Sequence, residues 1–169
     1  MVANLWVIRH AKSSWADPGL TDFERPLNER GLKDGERMVR WMRKQDLRPQ
    51  WLVSSDARRA RATAAYVRDG YRIDEQRFLL DHRLYEPTPE SVLDVLRELP
   101  PGCPSVALVG HNPGFSDFVN AMVGTATIEQ LPTFGIAVLE APLPWVDLRF
   151  GLARLVERYT PKGLRQEES

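Results

Sequence analysis

The stretch LWVIRHAKSSW, residues 5–15, decides the fold. Its apolar half predicts a buried strand, and that strand ends on Arg9 and His10. Burying such polar groups is unfavourable unless they have hydrogen-bonding or charged partners, so their position at the end of a buried strand suggests a functional role. SVALVGH, residues 105–111, repeats the pattern, because a second buried strand ends on His111. Ligands bind at the carboxyl edge of an open α/β sheet, particularly where the strand order reverses. If the two strands are neighbours, His10 and His111 face each other at that edge.

Short apolar runs alternate with longer amphipathic segments along the chain, which is typical of a mostly parallel sheet covered by helices. The pattern predicts strands over residues 3–10, 51–55, 76–80, 105–111, 135–141 and 152–159, and helices over residues 31–45, 56–69, 90–99 and 114–124. We therefore expect an α/β protein with three α/β/α layers and a mostly parallel central sheet. We expect a single domain over residues 1–161, followed by a polar, frayed C-terminal tail over residues 162–169.

Composition narrows the range of partners. The 23 basic and 23 acidic side chains balance, so no overall field attracts nucleic acid or an anionic membrane surface. The single cysteine, Cys103, excludes an internal disulfide and multi-cysteine metal sites. No apolar signal core or membrane-length apolar run is visible. We therefore expect a cytoplasmic protein that does not bind nucleic acid or membranes.

A third predicted strand, WLVSS at residues 51–55, ends at the same edge and leads directly into a helix. The first turn of this helix carries Arg58 and Arg59, although cations are unfavourable at the positive end of the helix dipole. A bound anion would explain them, because guanidinium groups, imidazoles and backbone N–H groups can together surround a tetrahedral phosphate. Arg9 and His10 then fit the roles of a phosphate clamp and a nucleophile, since a neutral imidazole can attack phosphorus and carry the phosphoryl group covalently.

Four segments in this order, VIRHAKSSW, DFERPLNERG, SSDARRARATA and VGHNPGF, resemble the histidine phosphatase superfamily, and within it the small SixA-type phosphohistidine phosphatase branch. The resemblance covers roughly residues 5–160. It implies a phosphoglycerate mutase-like fold, with His10 as the phosphorylated nucleophile and Arg9 as a phosphate ligand. The family pattern S-x-x-x-R-A-x-x-T-A gives the second arginine role to Arg59. His111 matches the second catalytic histidine, which binds phosphate and stabilises the transition state.

The resemblance also implies roles for three less certain positions. Arg25 and Asn28 match the R-P-L-T/N segment of the branch and are expected to bind substrate at the site entrance, although Arg25 could instead pair with Asp22 or Glu24. Larger family members that cleave esters use a carboxylic acid to protonate the departing oxygen. Glu86, in LYEPTP, is the only acid that we nominate for this catalytic role. A phosphoramidate departs as an imidazole nitrogen, so the small branch could act without such an acid.

We expect an enzyme that needs no metal or cofactor, a phosphatase that forms phospho-His10 and hydrolyses it with water. The expected substrate is phosphohistidine in a protein, because the loops are too short to build a deep lid. Two alternatives stay open: a phosphatase of small phosphate esters or sugar phosphates, and a non-catalytic phosphate-recognising module. A mutase is disfavoured, since retaining the intermediate and excluding water requires more enclosure.

Two further side chains near the predicted site have alternative interpretations. His82 lies close to Asp81 and Glu86 in sequence, a composition that can bind a metal, but no paired spacing such as H-E-x-x-H accompanies it. We therefore expect no metal there. Trp15 could line the mouth of the pocket or pack against the body of the protein.

Overall fold

The six strands of the protein form one mixed sheet in a computed structural model that describes residues 1–45 and 48–168. The strands are β1 (Val2–Arg9), β2 (Trp51–Ser54), β3 (Phe78–Leu80), β4 (Ser105–Gly110), β5 (Ile136–Pro142) and β6 (Arg154–Tyr159). The helices are α1 (Glu29–Met42), α2 (Arg58–Tyr71), α3 (Pro89–Arg97), α4 (Gly114–Val123) and α5 (Pro161–Glu168). None of the helices in the described part of the chain has the length and apolar content of a membrane span.

The strand order is β3-β2-β4-β1-β5-β6. Strand β4 lies between β1 and β2 and pairs in parallel with both, while β5 and β6 add antiparallel strands at one side. Arg9 is opposite Gly110, and Ser54 is opposite Val109, so the three parallel strands end at the same level. The predicted mostly parallel sheet is confirmed, and the two strands that end on histidine are neighbours.

Side chains of β1 alternate between the two faces of the sheet, as expected for a strand that is covered on both sides. Leu5 and Val7 belong to the core under α3 and α4, whereas Trp6 and Ile8 belong to the core under α1 and α2. Every residue of β4 is buried. The sheet therefore lies between two helical layers, which explains why β1 and β4 read as continuous apolar runs.

Two helices begin at positions that differ slightly from the prediction. Helix α1 begins at Glu29, two residues earlier than expected, because the Asn28 side chain accepts a hydrogen bond from the Gly31 N–H and caps the helix. Helix α2 begins at Arg58, and the Ser55 hydroxyl accepts a hydrogen bond from the Ala57 N–H just before it. Sequence periodicity does not resolve such two-residue differences, because capping depends on the backbone outside the helix.

The expectation of a frayed tail is wrong, because residues Pro161–Glu168 form α5. Leu164 is buried in the core that α1 and α2 cover. The Arg165 guanidinium donates a hydrogen bond to the buried carboxylate of Asp34, at 2.8 Å. One apolar side chain in a polar segment gives no visible period, so the sequence did not reveal this helix.

Candidate active site

The carboxyl ends of β1 and β4 place His10 and His111 side by side, with their ring centroids 5.0 Å apart. Both imidazoles are buried. The backbone N–H of His10 donates to the carbonyl oxygen of Gly110 at 3.0 Å. The parallel register of the two strands thus continues by one residue beyond the sheet. This hydrogen bond fixes the backbone of His10 against the strand that carries His111.

The His10 ring is held in one tautomer. Its Nδ1 lies 2.7 Å from the carbonyl oxygen of Ala11, and a carbonyl can only accept, so Nδ1 carries the proton and Nε2 carries a lone pair. Burial, together with the positive charges of Arg59, Arg9 and Arg25, lowers the pKa of His10 to about 4 against the opposing effect of the Ala11 carbonyl. The imidazole is therefore neutral near pH 7, which is the form that can act as a nucleophile.

The His111 ring is oriented by a hydroxyl group. Its Nε2 lies 2.8 Å from Ser55 Oγ, and the same oxygen accepts from the Ala57 N–H, so the serine proton is free to point at the imidazole. When the serine donates to Nε2, Nδ1 of His111 carries the proton, and this atom is buried without a partner among the residues that the structure describes. Burial and the neighbouring His10 lower the pKa of His111 to about 3. His111 is thus neutral near pH 7.

A threonine joins the His10 segment to α2. The buried Thr63 hydroxyl accepts from the Ala11 N–H at 2.9 Å and donates to the Arg59 carbonyl at 2.8 Å. The backbone directly after His10 is therefore fixed to the first turn of α2, where Arg59 begins its side chain. The Thr63 side chain, from the SSDARRARATA segment, thus positions the backbone next to His10 and the backbone of Arg59.

Both predicted phosphate-binding arginines are partly engaged by the protein itself. Arg9 donates from Nη1 to the Leu131 carbonyl at 3.0 Å. Arg59 donates from Nη1 to the Asp22 carbonyl at 2.6 Å and from Nη2 to the Asp22 carboxylate at 3.0 Å. Nε of both arginines is buried and has no partner in the described part of the chain. A buried donor without a partner costs about 1–3 kcal/mol, so these atoms indicate a ligand.

One pocket brings together Arg9, His10, Arg59 and His111. It has two lobes, each about 380 Å³ in volume. Arg59, His111 and Asn112 line both lobes. The first lobe is completed by Arg9, His10, Lys12, Ser13, Trp15, Arg25 and Thr133. The second lobe is completed by Asp22, Tyr85, Glu86, Pro87 and Pro113. The lobes meet at Arg59 and His111.

Asp22 is a site residue that the sequence suggested only as a partner for Arg25. Its carboxylate accepts from Arg25 Nε at 3.1 Å, from Arg59 Nη2 at 3.0 Å and from the Tyr85 hydroxyl at 2.6 Å. Burial alone would raise the pKa of Asp22, but the hydrogen bonds from Tyr85, Arg59 and Arg25 outweigh it and lower the pKa to about 2. Asp22 is therefore an internal anion at the arginine cluster.

Comparison with known proteins agrees with this geometry. The model of the histidine phosphatase superfamily, branch 1, matches residues 5–86. The uncharacterized protein Rv1276c of Mycobacterium tuberculosis is 31% identical over 164 residues, which are 92% of this chain and 100% of the relative. A candidate phosphohistidine phosphatase SixA from Agrobacterium tumefaciens is 30% identical, with a TM-score of 0.79 over 94% of this chain and 98% of its own. The chain belongs to the histidine phosphatase superfamily.

A second solved structure supports the fold of this histidine phosphatase superfamily member. The protein histidine phosphatase SixA complexed with tungstate is 20% identical and has a TM-score of 0.75, over 95% of this chain and 99% of its own. The predicted phosphoglycerate mutase-like fold is confirmed, with its six-stranded sheet flanked by helices.

The two entrance residues predicted from the superfamily pattern differ in position. Arg25 lines the first lobe and pairs with Asp22, whereas its contact with substrate stays a prediction. Its guanidinium carbon lies 3.5 Å from the ring centroid of Trp15. Trp15 is 76% exposed at the pocket mouth, so it does not pack into the body of the protein. Asn28 lies outside both lobes, because its side chain caps α1.

Glu86 is exposed and lines the second lobe together with His111. A close contact holds its loop there: a Cβ on Gly114, which follows His111 by three residues, would lie 2.0 Å from the Pro87 carbonyl oxygen. Only glycine allows the two loops to approach so closely. Glu86 thus lies at the second lobe, and its role as a general acid stays a prediction.

His82 pairs with Asp56 and not with its sequence neighbours Asp81 and Glu86. His82 Nδ1 lies 2.9 Å from both carboxylate oxygens of Asp56, while Asp81 pairs with Arg83. Within the described ranges, no group of three or more His, Cys, Asp or Glu side chains could hold a metal ion.

The lowered pKa of the catalytic-site imidazoles can be measured directly. We expect the ring protons of His10 to show no titration between pH 5 and pH 8 in the phosphate-free protein, because its pKa is about 4. NMR spectra recorded against pH, with His10→Gln to assign the signal, provide the measurement. A midpoint near the ordinary histidine value of about 6.5 would contradict the neutral, buried imidazole described above.

Asp22→Asn tests the internal anion. The substitution keeps the shape of the side chain but removes the charge that competes with phosphate for Arg59 and Arg25. We expect orthophosphate to bind about fivefold more tightly, as measured by calorimetry, because one unfavourable charge at the site is lost. Asp17→Asn is the matched control, since Asp17 is exposed and accepts from the Gly19 N–H. Weaker binding in Asp22→Asn would show that Asp22 only positions the arginines.

Proposed function

We propose that this member of the histidine phosphatase superfamily is a phosphatase that acts through a phosphohistidine on His10 and requires no metal ion. Three buried polar atoms without a partner in the described ranges support the proposal: Arg9 Nε, Arg59 Nε and His111 Nδ1. Their side chains line one pocket with His10. Two guanidinium groups and an imidazole protonated at Nδ1 are donors that suit a tetrahedral dianion.

In the first step, the lone pair on Nε2 of His10 attacks phosphorus in line with the leaving group. The P–N bond forms as the bond from phosphorus to the leaving group breaks. Arg9, Arg59 and His111 stabilise the charge on the equatorial oxygens, and the Ala11 carbonyl stabilises the positive charge that develops on the imidazole. No group has to move for this attack, because the tautomer is already set.

In the second step, water attacks the phosphorus of phospho-His10, and the P–N bond breaks to release phosphate. The same cations stabilise this transition state, since the equatorial oxygens occupy the same position. The mouth of the pocket is open on the side of Trp15, which is exposed, so water has a route to the phosphoryl group. This openness supports a hydrolase over a mutase.

The substrate that we propose is phosphohistidine in a protein. The similarity to the candidate phosphohistidine phosphatase from Agrobacterium tumefaciens supports this class. A phosphohistidine side chain can project into a pocket that lies at the surface, whereas a small substrate gains more from enclosure. The partner is therefore a phosphorylated protein.

A second candidate function follows from the position of Glu86. A carboxyl group in the second lobe, beside His111, could protonate the departing oxygen of a phosphate ester. A phosphatase of small phosphate esters or sugar phosphates is therefore the alternative. A non-catalytic phosphate-recognising module would use the same arginines but would not need His10 in its nucleophilic tautomer.

Hydrolysis of a generic aryl phosphate tests the catalytic role of His10. We expect turnover in the wild-type protein and a loss by a factor of about 10³ or more in His10→Ala, because no other group can carry the phosphoryl intermediate. His82→Ala is the matched control, since His82 is exposed and lies outside the two lobes. Activity that survives in His10→Ala, or that a chelator abolishes, would refute the proposal. Phosphate binding without turnover in the wild type would favour the binding module.

Glu86→Gln separates the two classes of substrate. We expect kcat/KM to be higher for a phosphohistidine peptide than for a panel of phosphomonoesters, and Glu86→Gln to lower only ester hydrolysis, by about 10²-fold. Glu90→Gln provides the control, because Glu90 is an exposed glutamate in the first turn of α3. Preference for esters, together with strong dependence on Glu86, would instead favour the small-molecule phosphatase.

A further inference from the structure

A second cavity of about 290 Å³ opens beside the first lobe, between α1 and α5. We call it the basic cleft and define it by Lys12, Arg30, Asp34, Lys162 and Arg165, which line it. Lys12 also lines the first lobe with His10, and Thr133 is likewise shared, so the two cavities adjoin. A ligand at His10 therefore has the basic cleft as its neighbour on this side.

A buried carboxylate holds the two arginines of the basic cleft. Asp34 is only 3% exposed. Arg165 donates to its Oδ1 at 2.8 Å, and Arg30 Nε lies 3.4 Å from its Oδ2. Each guanidinium has five N–H donors, and one contact with Asp34 leaves most of them for another acceptor. Asp34 thus positions two guanidinium groups at the cleft without satisfying them.

Two lysines add unpaired charge to the basic cleft. Lys12 and Lys162 are exposed, and neither forms an ion pair with a carboxylate in the part of the chain that the structure describes. The backbone at Lys12 is fixed, since its carbonyl accepts from the Asn28 N–H at 3.0 Å. A Cβ on Gly31 would lie 2.2 Å from that carbonyl oxygen, so α1 packs directly against it. The backbone of Lys12 is therefore fixed where the cleft and the pocket adjoin.

The charge of the basic cleft is opposite to that of the second lobe. Four cations face one carboxylate there, in a chain whose formal net charge is zero. On the other side of His111, the second lobe carries the two carboxylates of Asp22 and Glu86 with the single cation Arg59. The pocket is thus electrostatically polarised. A substrate with a second negative group would place that group on the Lys12 side.

We propose that the basic cleft is a second anion subsite, which binds a further phosphate or carboxylate group of the molecule whose phosphoryl group lies at His10. This inference rests on the proposed function and adds one requirement, namely that the substrate carries a second anionic group. The second anion has two chemical sources: acidic side chains that flank a phosphohistidine in a protein, or a second phosphate on a small molecule. Both present the same oxygens to the arginines and lysines.

Binding of inorganic anions tests the subsite without any turnover. The variant is Lys162→Glu, because Lys162 lies in the basic cleft and outside both lobes of the catalytic pocket. Calorimetry with tripolyphosphate should show affinity lowered about fivefold, whereas orthophosphate affinity should change less than about twofold, since only the longer anion reaches Lys162. Lys33→Glu is the matched control, an exposed lysine on α1 that should change neither affinity. Unchanged tripolyphosphate affinity in Lys162→Glu would overturn the proposal.

Substrate pairs then identify the source of the second anion. One pair is a phosphohistidine peptide flanked by Glu and the same peptide flanked by Gln; the other is a hexose bisphosphate and the corresponding monophosphate. We expect the wild type to prefer the more anionic member of one pair in kcat/KM, and Lys162→Glu to lose that preference. No preference in either pair would overturn the proposal. Failure of the proposed function is distinguishable, because it would abolish aryl phosphate hydrolysis and leave the tripolyphosphate result unaffected.

Discussion

Parallel pairing of β4 with both β1 and β2 is the interaction on which the remainder of the structure depends. The register places Arg9 opposite Gly110 and Ser54 opposite Val109, so three chain segments leave the sheet at one level. Each segment delivers a polar side chain as soon as the ladder ends, because before that point the strand side chains are buried on both faces. Distant parts of the sequence therefore meet at one edge.

These segments bring two guanidinium groups and two imidazoles into a partly buried space, where positive charges would repel each other. The imidazoles stay neutral, because burial and the arginines lower the pKa of each. The arginines remain charged, and Asp22 supplies the opposing charge through contacts with Arg25 and Arg59. In the proposed function, an anionic substrate would enter a site that already contains one internal anion, which would limit how tightly the product phosphate is retained.

The sequence predicted the parts of this arrangement that follow from strand burial and motif register. His10 and His111 could be paired because both end buried strands, and Arg59 could be separated from Arg58 by the spacing of the motif. Asp22 could not be found in the same way, since its partners Arg59 and Tyr85 are 37 and 63 positions away. The role of Asn28 was also hidden, because the same side chain suits a helix cap and a substrate contact. Helix α5 depends on tertiary contacts, namely the burial of Leu164 and the hydrogen bond from Arg165 to Asp34.

The hydrogen bond between His10 Nδ1 and the Ala11 carbonyl has a regiochemical consequence. A phosphoryl group carried by this ring can reside only on Nε2, since phosphorylation at Nδ1 would require the bond to break and leave the Ala11 carbonyl without its donor. A covalent enzyme would therefore be a single positional isomer, irrespective of which nitrogen carried phosphate in the donor molecule. The position of the phosphoryl group on the His10 ring would thus not depend on its position in the substrate.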